Sequence, residues 1–372
     1  MVNKRPVLRV YTPIVDRNHV MVLKGETELY TSLRWQNCYS EAGEFEARMP
    51  YRAEMMALFK PFDVVELRRD VREKYGVVLY INVETRETGE MEITVRGRML
   101  SWVLNWRFAY LENSAGGWRD IVINRTAPRV MTYLIGHCIE QHSAYVGTAT
   151  DFFAKDTINL YDETTGSYSA QEYTYDRETS VYDAVVDLAK QNNVGFWATV
   201  EDSTLAVHVM DYNVQNVRIG IEYGNVSSMN YTQSIDNYVN CICTQTAQSP
   251  YNISFGASDM YAIVKYVNTD DVDTGDDIIP DSVRMRAAKD RFAQNRQVES
   301  ISVELAQTGL YYLEDYNIGD VVTVQSVDFD IRAAFPVSSV TEVWEDGYSI
   351  QVQFGEAMLN SYKKLKNEVK KR

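Results

Sequence analysis

Apolar and polar residues alternate at a period of two over most of this chain, broken by six stretches where the period lengthens to that of a helix. The first hundred residues predict strands at Val7–Tyr11, at His19–Leu23 and in a run ending Leu33-Arg34-Trp35. In the next strand Phe45, Ala47 and Met49 share one face, Gly43 supplies a turn or bulge before them, and Pro50 ends the run. Residues 51–60 predict a short helix, and Met99, Leu100, Val103 and Leu104 form a helical stripe after Gly97-Arg98.

The middle of the chain differs in kind. Thr126 and Pro128 open a helix whose stripe is Val130, Leu134, Ile135, Cys138 and His142. A polar, Tyr-rich stretch over residues 145–178 predicts a loop. Ser180 then caps a second helix, with Asp183 at the acidic third position and Tyr182, Val185, Val186 and Ala189 inward; it stops at Asn192-Asn193. Gly195–Val200 and Leu205–Val209 read as a hairpin. From about residue 223 the pattern is β again, with Val239, Cys241 and Cys243 on one face of a strand and another strand over Tyr261–Val267. Residues 282–296 predict a helix. A basic amphipathic helix follows at 356–372, with Met358, Tyr362, Leu365 and Val369 on its stripe.

A short β-module occurs twice. Asp320-Val321-Val322-Thr323-Val324 matches Asp63-Val64-Val65-Glu66-Leu67 at an offset of 257 residues, and Val340-Thr341 and Ile350-Gln351-Val352 match Val83-Glu84 and Ile93-Thr94-Val95 at the same offset. The expected fold class is therefore mainly β with an α+β insertion. Its expected domains are a β-barrel over residues 1–108, an α+β domain over 109–222, a second β-barrel over 223–355 and the helix 356–372.

Composition narrows the function. A chain of 372 residues with 45% hydrophobic and 24% charged residues is globular, and a net charge of −15 argues against general binding to nucleic-acid phosphates. No secretory signal and no run long enough to span a membrane is read, and the four scattered cysteines fit reduced thiols made in a cytoplasm.

Candidate chemistry is sparse. His137, Cys138 and His142 share a helix and Cys241-x-Cys243 shares a strand face, but zinc spacing is not met and buried thiols are the plainer reading. The acidic stretch 270–277 fails the EF-hand pattern, since Asp276 stands where the glycine belongs and Ser282 where the bidentate glutamate belongs; a solvated loop or a weak divalent site remains. No nucleophile elbow, zinc helix or phosphate loop is found, so no catalytic, cofactor or metal residue is assigned.

Several motifs nevertheless fall in order. They are Trp35…Tyr39-x-x-x-Gly43-x-Phe45; Gly97-Arg98-x-Leu100 through Arg107; Ser180-Val181-Tyr182-Asp183 through Leu188, then Gly195-Phe196; and Tyr316-Asn317-Ile318-Gly319-Asp320. Together they resemble the tail baseplate hub family of bacteriophages, R-type bacteriocins and related contractile injection systems. The resemblance implies two tail-tube-like barrels in a homotrimeric, non-enzymatic hub of the virion or tail-like particle. Its implied partners are the tail tube protein, the central spike protein, and baseplate and tape-measure proteins. DNA would be passing cargo, and the chain would enter no membrane. The implied structural positions are Trp35, Gly43, Phe45, Gly97, Arg98, Arg107, Gly195, Gly319 and Asp320. Two alternatives stand beside it: a tail-associated peptidoglycan hydrolase, and a carbohydrate-binding tail module with Trp102, Trp106 and Trp118 as platform candidates.

Overall fold

A computed structural model describes residues 5–12, 21–69, 71–85, 89–109, 111–112, 118–119, 121–140, 158–175, 178–202, 204–234, 238–245, 250–254, 263–268, 298–306 and 309–355. The expected acidic loop, the helix at 282–296, the C-terminal helix and His142 lie outside them. The chain is mainly β and divides into two compact units, one of residues 1–229 and 302–354, the other of 230–301 and 355–372.

The first unit opens with β1 (Leu8–Thr12), β2 (Val22–Thr27), β3 (Ser32–Cys38) and β4 (Glu44–Pro50). Phe45, Ala47 and Met49 are all buried, as their spacing requires. After the short helix α1 (Ala53–Leu58) come β5 (Val64–Leu67), β6 (Tyr75–Thr85) and β7 (Met91–Met99), an antiparallel meander. The helical stripe at 99–104 forms a 3-10 helix over Leu100–Trp106. Two short strands, β8 (Leu111–Glu112) and β9 (Trp118–Arg119), pair next.

The α+β material contains β10 (Ile121–Arg125), α2 (Ala127–Glu140), β11 (Asn159–Asp162), β12 (Gln171–Tyr175), α3 (Val181–Asn192), β13 (Gly195–Glu201) and β14 (Thr204–Met210). Val130, Leu134, Ile135 and Cys138 are buried. The Ser180 hydroxyl accepts the Asp183 N–H at 2.9 Å, and Asn193 ends α3 with φ 54°. Val181, Ala184 and Leu188 join the buried stripe, while Val186 lies at its half-buried margin. One expectation fails here: the Tyr-rich "loop" holds β11 and β12. Each is short and borrows its order from a partner, β11 from β14 and β12 from β10, so neither shows a strong periodicity of its own.

The remaining strands of the main sheet are β15 (Asn213–Ile219), β16 (Val226–Ser234), β20 (Val298–Leu305), β21 (Asp320–Ser326), β22 (Ile331–Trp344) and β23 (Tyr348–Gly355). The second unit holds β17 (Cys241–Gln245) between β18 (Pro250–Ser254), antiparallel, and β19 (Val264–Asn268), parallel. In β17 the buried side chain is Ile242, and Cys241 and Cys243 are half-buried on the opposite face.

The sequence repeat is a structural repeat. β21, β22 and β23 form the same antiparallel meander as β5, β6 and β7. Each copy is entered by a four-residue turn, Lys60–Asp63 or Asn317–Asp320, closed by an N–H···O bond of 3.0 or 3.1 Å from the last residue to the first. The third residue has positive φ in both, 73° at Phe62 and 81° at Gly319, the arrangement of a type II turn. In both, the buried aspartate accepts the N–H three residues back at 2.7 Å. A bulge follows at the same place, between Val78 and Tyr80 in β6 and between Val337 and Ser339 in β22. Pairing opposite Ile93 and Ile350 aligns Val83 with Glu342, so Val340-Thr341 corresponds to Ile81-Asn82 rather than to Val83-Glu84. Connections of different length on either side of the middle strand absorb the two-residue difference.

Candidate functional site: a buried aromatic–glycine junction

The residues that the motifs single out meet in the first unit as aromatic rings seated on glycines. Trp35 stacks on Phe45 with centroids 5.1 Å apart, and both are buried. Phe45 leaves no room on the neighbouring strands. A Cβ at Gly97 would stand 2.4 Å from the Phe45 ring and 2.0 Å from the Val77 carbonyl oxygen, and one at Gly76 would stand 2.7 Å from the ring. Gly43 is needed because its backbone crosses the Gln36 carbonyl, which a Cβ would meet at 1.9 Å. Arg98 lays its guanidinium over Trp102 at 5.4 Å, and the Arg107 carbonyl accepts the Val181 N–H that starts α3, at 2.8 Å.

Tyr39 is the centre of a second cluster. Its ring stacks on Tyr212 at 4.3 Å and lies against Gly195 and Gly319, where a Cβ would sit 2.3 and 2.5 Å from its Cε2. Its hydroxyl donates to the Met210 carbonyl at 3.1 Å, its N–H to Ser338 at 2.9 Å, and its carbonyl accepts from Phe196 at 3.0 Å. One side chain thereby ties the β3–β4 turn to the β13–β14 hairpin and to the entry turn of the second meander. Burial pushes its phenol pKa far up, so it stays a neutral donor.

The loop from β5 to β6 makes the polar half of the junction. Arg69 meets buried Glu342 at 2.8 Å and lies over Trp344 and Tyr348 at 5.5 and 5.3 Å. Arg72 donates to the Ile318 carbonyl in the second entry turn at 2.6 Å. Glu73 is wholly buried: its N–H donates to Asn37 Oδ1 at 3.1 Å, its carbonyl accepts Trp35 Nε1 at 3.1 Å, and Oε1 accepts the Ser101 N–H at 2.9 Å. Burial, partly opposed by these donors, raises its carboxyl to about 7.

Sequence reading missed Gly76, Tyr39 as a centre, and all three charged loop residues. Nothing in the local pattern of residues 68–74, a run rich in charges, marks any of them as buried. Tyr39 was legible, since it stands inside the Tyr39-x-x-x-Gly43 motif. Of the tryptophans offered as a sugar platform, Trp102 is packed against Arg98 and edge-on to Tyr182, and Trp106 meets Phe62 edge-on at 5.8 Å. Among the described residues no group of three or more His, Cys, Asp or Glu side chains could hold a metal.

Gly319→Ala combines a left-handed backbone with a clash on Tyr39, so it should cost about 2–5 kcal/mol in urea unfolding. Gly224→Ala, also left-handed but with nothing within 4 Å, isolates the backbone part and should cost only about 1 kcal/mol. Equal losses would remove Tyr39 from the argument. Glu73 gives a pH test. Its folded value lies above the ordinary 4.5, so its contribution to stability is greatest at low pH and is lost as pH rises from 4.5 to about 7. Glu73→Gln should therefore unfold later than the parent at pH 8, by up to about 3 kcal/mol, and show little advantage at pH 4. An advantage of the same size at both values would contradict the buried-acid account.

Comparison with known proteins fits this architecture. The model for the family described as Siphovirus ReqiPepy6 Gp37-like protein matches residues 8–356. Similar folds occur in the tail protein from Neisseria meningitidis MC58, at 12% identity and TM-score 0.56, covering 94% of this chain and 96% of that one. The 43 kDa tail protein of prophage MuSo2 from Shewanella oneidensis gives 11% identity and TM-score 0.57, with coverage of 94% and 98%. Prophage tail protein gp18 from Listeria monocytogenes EGD-e gives 10% identity and TM-score 0.50, with coverage of 98% and 99%. No curated protein sequence matches the chain. A match over nearly its whole length places the chain in the Siphovirus ReqiPepy6 Gp37-like protein family.

Proposed function

We propose that the chain is a structural tail hub: a homotrimeric, non-enzymatic ring joining a sixfold tail tube to a threefold central spike. The observation that carries this reading is the repeated meander with its matched entry turn, aspartate and bulge. Three copies of a chain with two similar modules present six similar surfaces on one side while keeping threefold symmetry on the other. In this reading the two modules are tube-like barrels, over residues 1–108 and 223–355. The tube protein meets them axially, and spike, baseplate and tape-measure proteins complete the contacts.

Two further observations support a structural role. The buried carboxylates Asp63, Glu73, Asp320 and Glu342 are engaged by backbone donors or by side-chain partners such as the half-buried Arg69, an arrangement that fixes elements in place. A net charge of −15 also suits the wall of a channel, because it repels the phosphates of passing DNA.

Native mass measurement of the purified chain at micromolar concentration should give a trimer, and a peptidoglycan zymogram should show no clearing. A stable monomer that fails to assemble with tube or spike subunits would overturn the hub reading. Clearing abolished by substitution of a carboxylate would replace it with the hydrolase.

A further inference from the structure

Four buried polar atoms that meet no partner among the described residues belong to one cluster of side chains in the first unit. They are the hydroxyls of Tyr312 and Tyr316, Oε2 of Glu342 and Nε1 of Trp344. Their residues are only 1–6% exposed. The Tyr312 and Tyr316 rings lie 5.6 Å apart, and those of Trp344 and Tyr348 lie 5.5 Å apart. The Tyr348 hydroxyl donates to Glu342 Oε1 at 2.7 Å, and Arg69 meets the same oxygen from over the Trp344 and Tyr348 rings. Burial first, then the charge of Glu342 among other neighbours, pushes the Tyr312 and Tyr316 phenols up, so both keep their protons.

Packing alone does not account for the two tyrosines. The turn that carries them holds Leu313 at φ 75°, a backbone that a bulky side chain rarely adopts. The Leu313 N–H donates to the Tyr316 carbonyl at 2.8 Å, and the Tyr311 N–H donates to Asp315 Oδ2 at 2.7 Å. Both rings are thereby buried. Phenylalanine would fill the same space without taking a hydroxyl out of water, and a buried hydroxyl left unpaired loses its hydration for nothing. The hydroxyls therefore call for a partner that is not a side chain.

The chemistry of the four atoms selects that partner. Trp344 Nε1 only donates, the Glu342 carboxylate oxygen accepts, and the two hydroxyls do either. A cation would face Arg69 and the indole N–H, and an anion would face the Glu342 carboxylate. A small neutral molecule that both donates and accepts suits all four, and in a place sealed from solvent that molecule is water. We infer that ordered internal water binds here, bridging Glu342 Oε2 to the Tyr312 and Tyr316 hydroxyls, with Trp344 Nε1 as a further donor. A buried water makes about three hydrogen bonds, so one or two molecules serve the four atoms. The water joins the 311–316 turn to β22 and, through Glu342, to the Arg69 loop.

A crystal structure of the full chain, at a resolution that shows ordered water, tests the site directly. Density should stand within hydrogen-bonding distance of Glu342 Oε2 and of at least one of the two hydroxyls. The double variant Tyr312→Phe with Tyr316→Phe keeps both rings, so it should fold and lose that density. Urea unfolding gives a second readout through a cycle with Glu342→Gln. Because the water links the two sites, the effects of the double Phe change and of Glu342→Gln on the unfolding constant should depart from additivity by at least about threefold. A dry site, or a tyrosine hydroxyl turned to bond Glu342 directly, overturns the inference. Strictly additive effects overturn it as well.

Discussion

The structure depends on close approach of backbone to aromatic ring at a few glycines. Tyr39 occupies space that a Cβ at Gly195 or at Gly319 would fill, and Phe45 does the same at Gly76 and Gly97. Each ring carries about 150–250 Å² of surface, so seating it without a gap contributes several kcal/mol to packing and admits no neighbouring side chain. At Gly319 the demand is double, because the entry turn also requires a left-handed backbone. Phe62 accepts the same backbone in the first copy without Gly. The difference is that no buried ring lies on that turn, and Phe62 is itself exposed.

Around these rings the chain uses buried charge to fix orientation. The Arg69–Glu342 pair and the Glu73 carboxylate give up solvation that apolar residues would not, so their net contribution to stability is small or negative. What they add is direction. Arg69 reaches the strand of the second meander, Arg72 its entry turn, and Glu73 the 3-10 helix. Hydrophobic burial alone would tolerate sliding of one meander against the other. Directional bonds to named carbonyls and N–H groups do not.

Duplication gives this arrangement its economy. The same turn, aspartate and bulge recur, but the surroundings differ: Asp63 meets Lys24 at 2.5 Å, whereas Asp320 meets the Asn213 amide at 3.3 Å. The two copies keep the backbone hydrogen bonds that define the meander and vary the side chains that attach it to the rest.

By itself the sequence determined what is local. Period-two alternation placed β4 and the β13–β14 hairpin, the Ser180 cap placed α3, and the repeated Asp-Val-Val marked the two copies of the meander. Each of these is set by neighbours a few residues away, through strand faces, capping groups and turn backbone. The motif glycines were also visible, although nothing in the sequence said which ring each one admits. Tertiary structure alone decided that Glu73, in a run of charges, is buried and that Arg69 pairs with a buried carboxylate, because their partners Ser101, Ala198 and Glu342 are distant in sequence. It likewise decided that β11 and β12 are strands and that the middle strands of the repeat align two residues away from their sequence match. Pairing partners, unlike periodicity, are a property of the folded chain, and only the register between strands fixes which residues face one another.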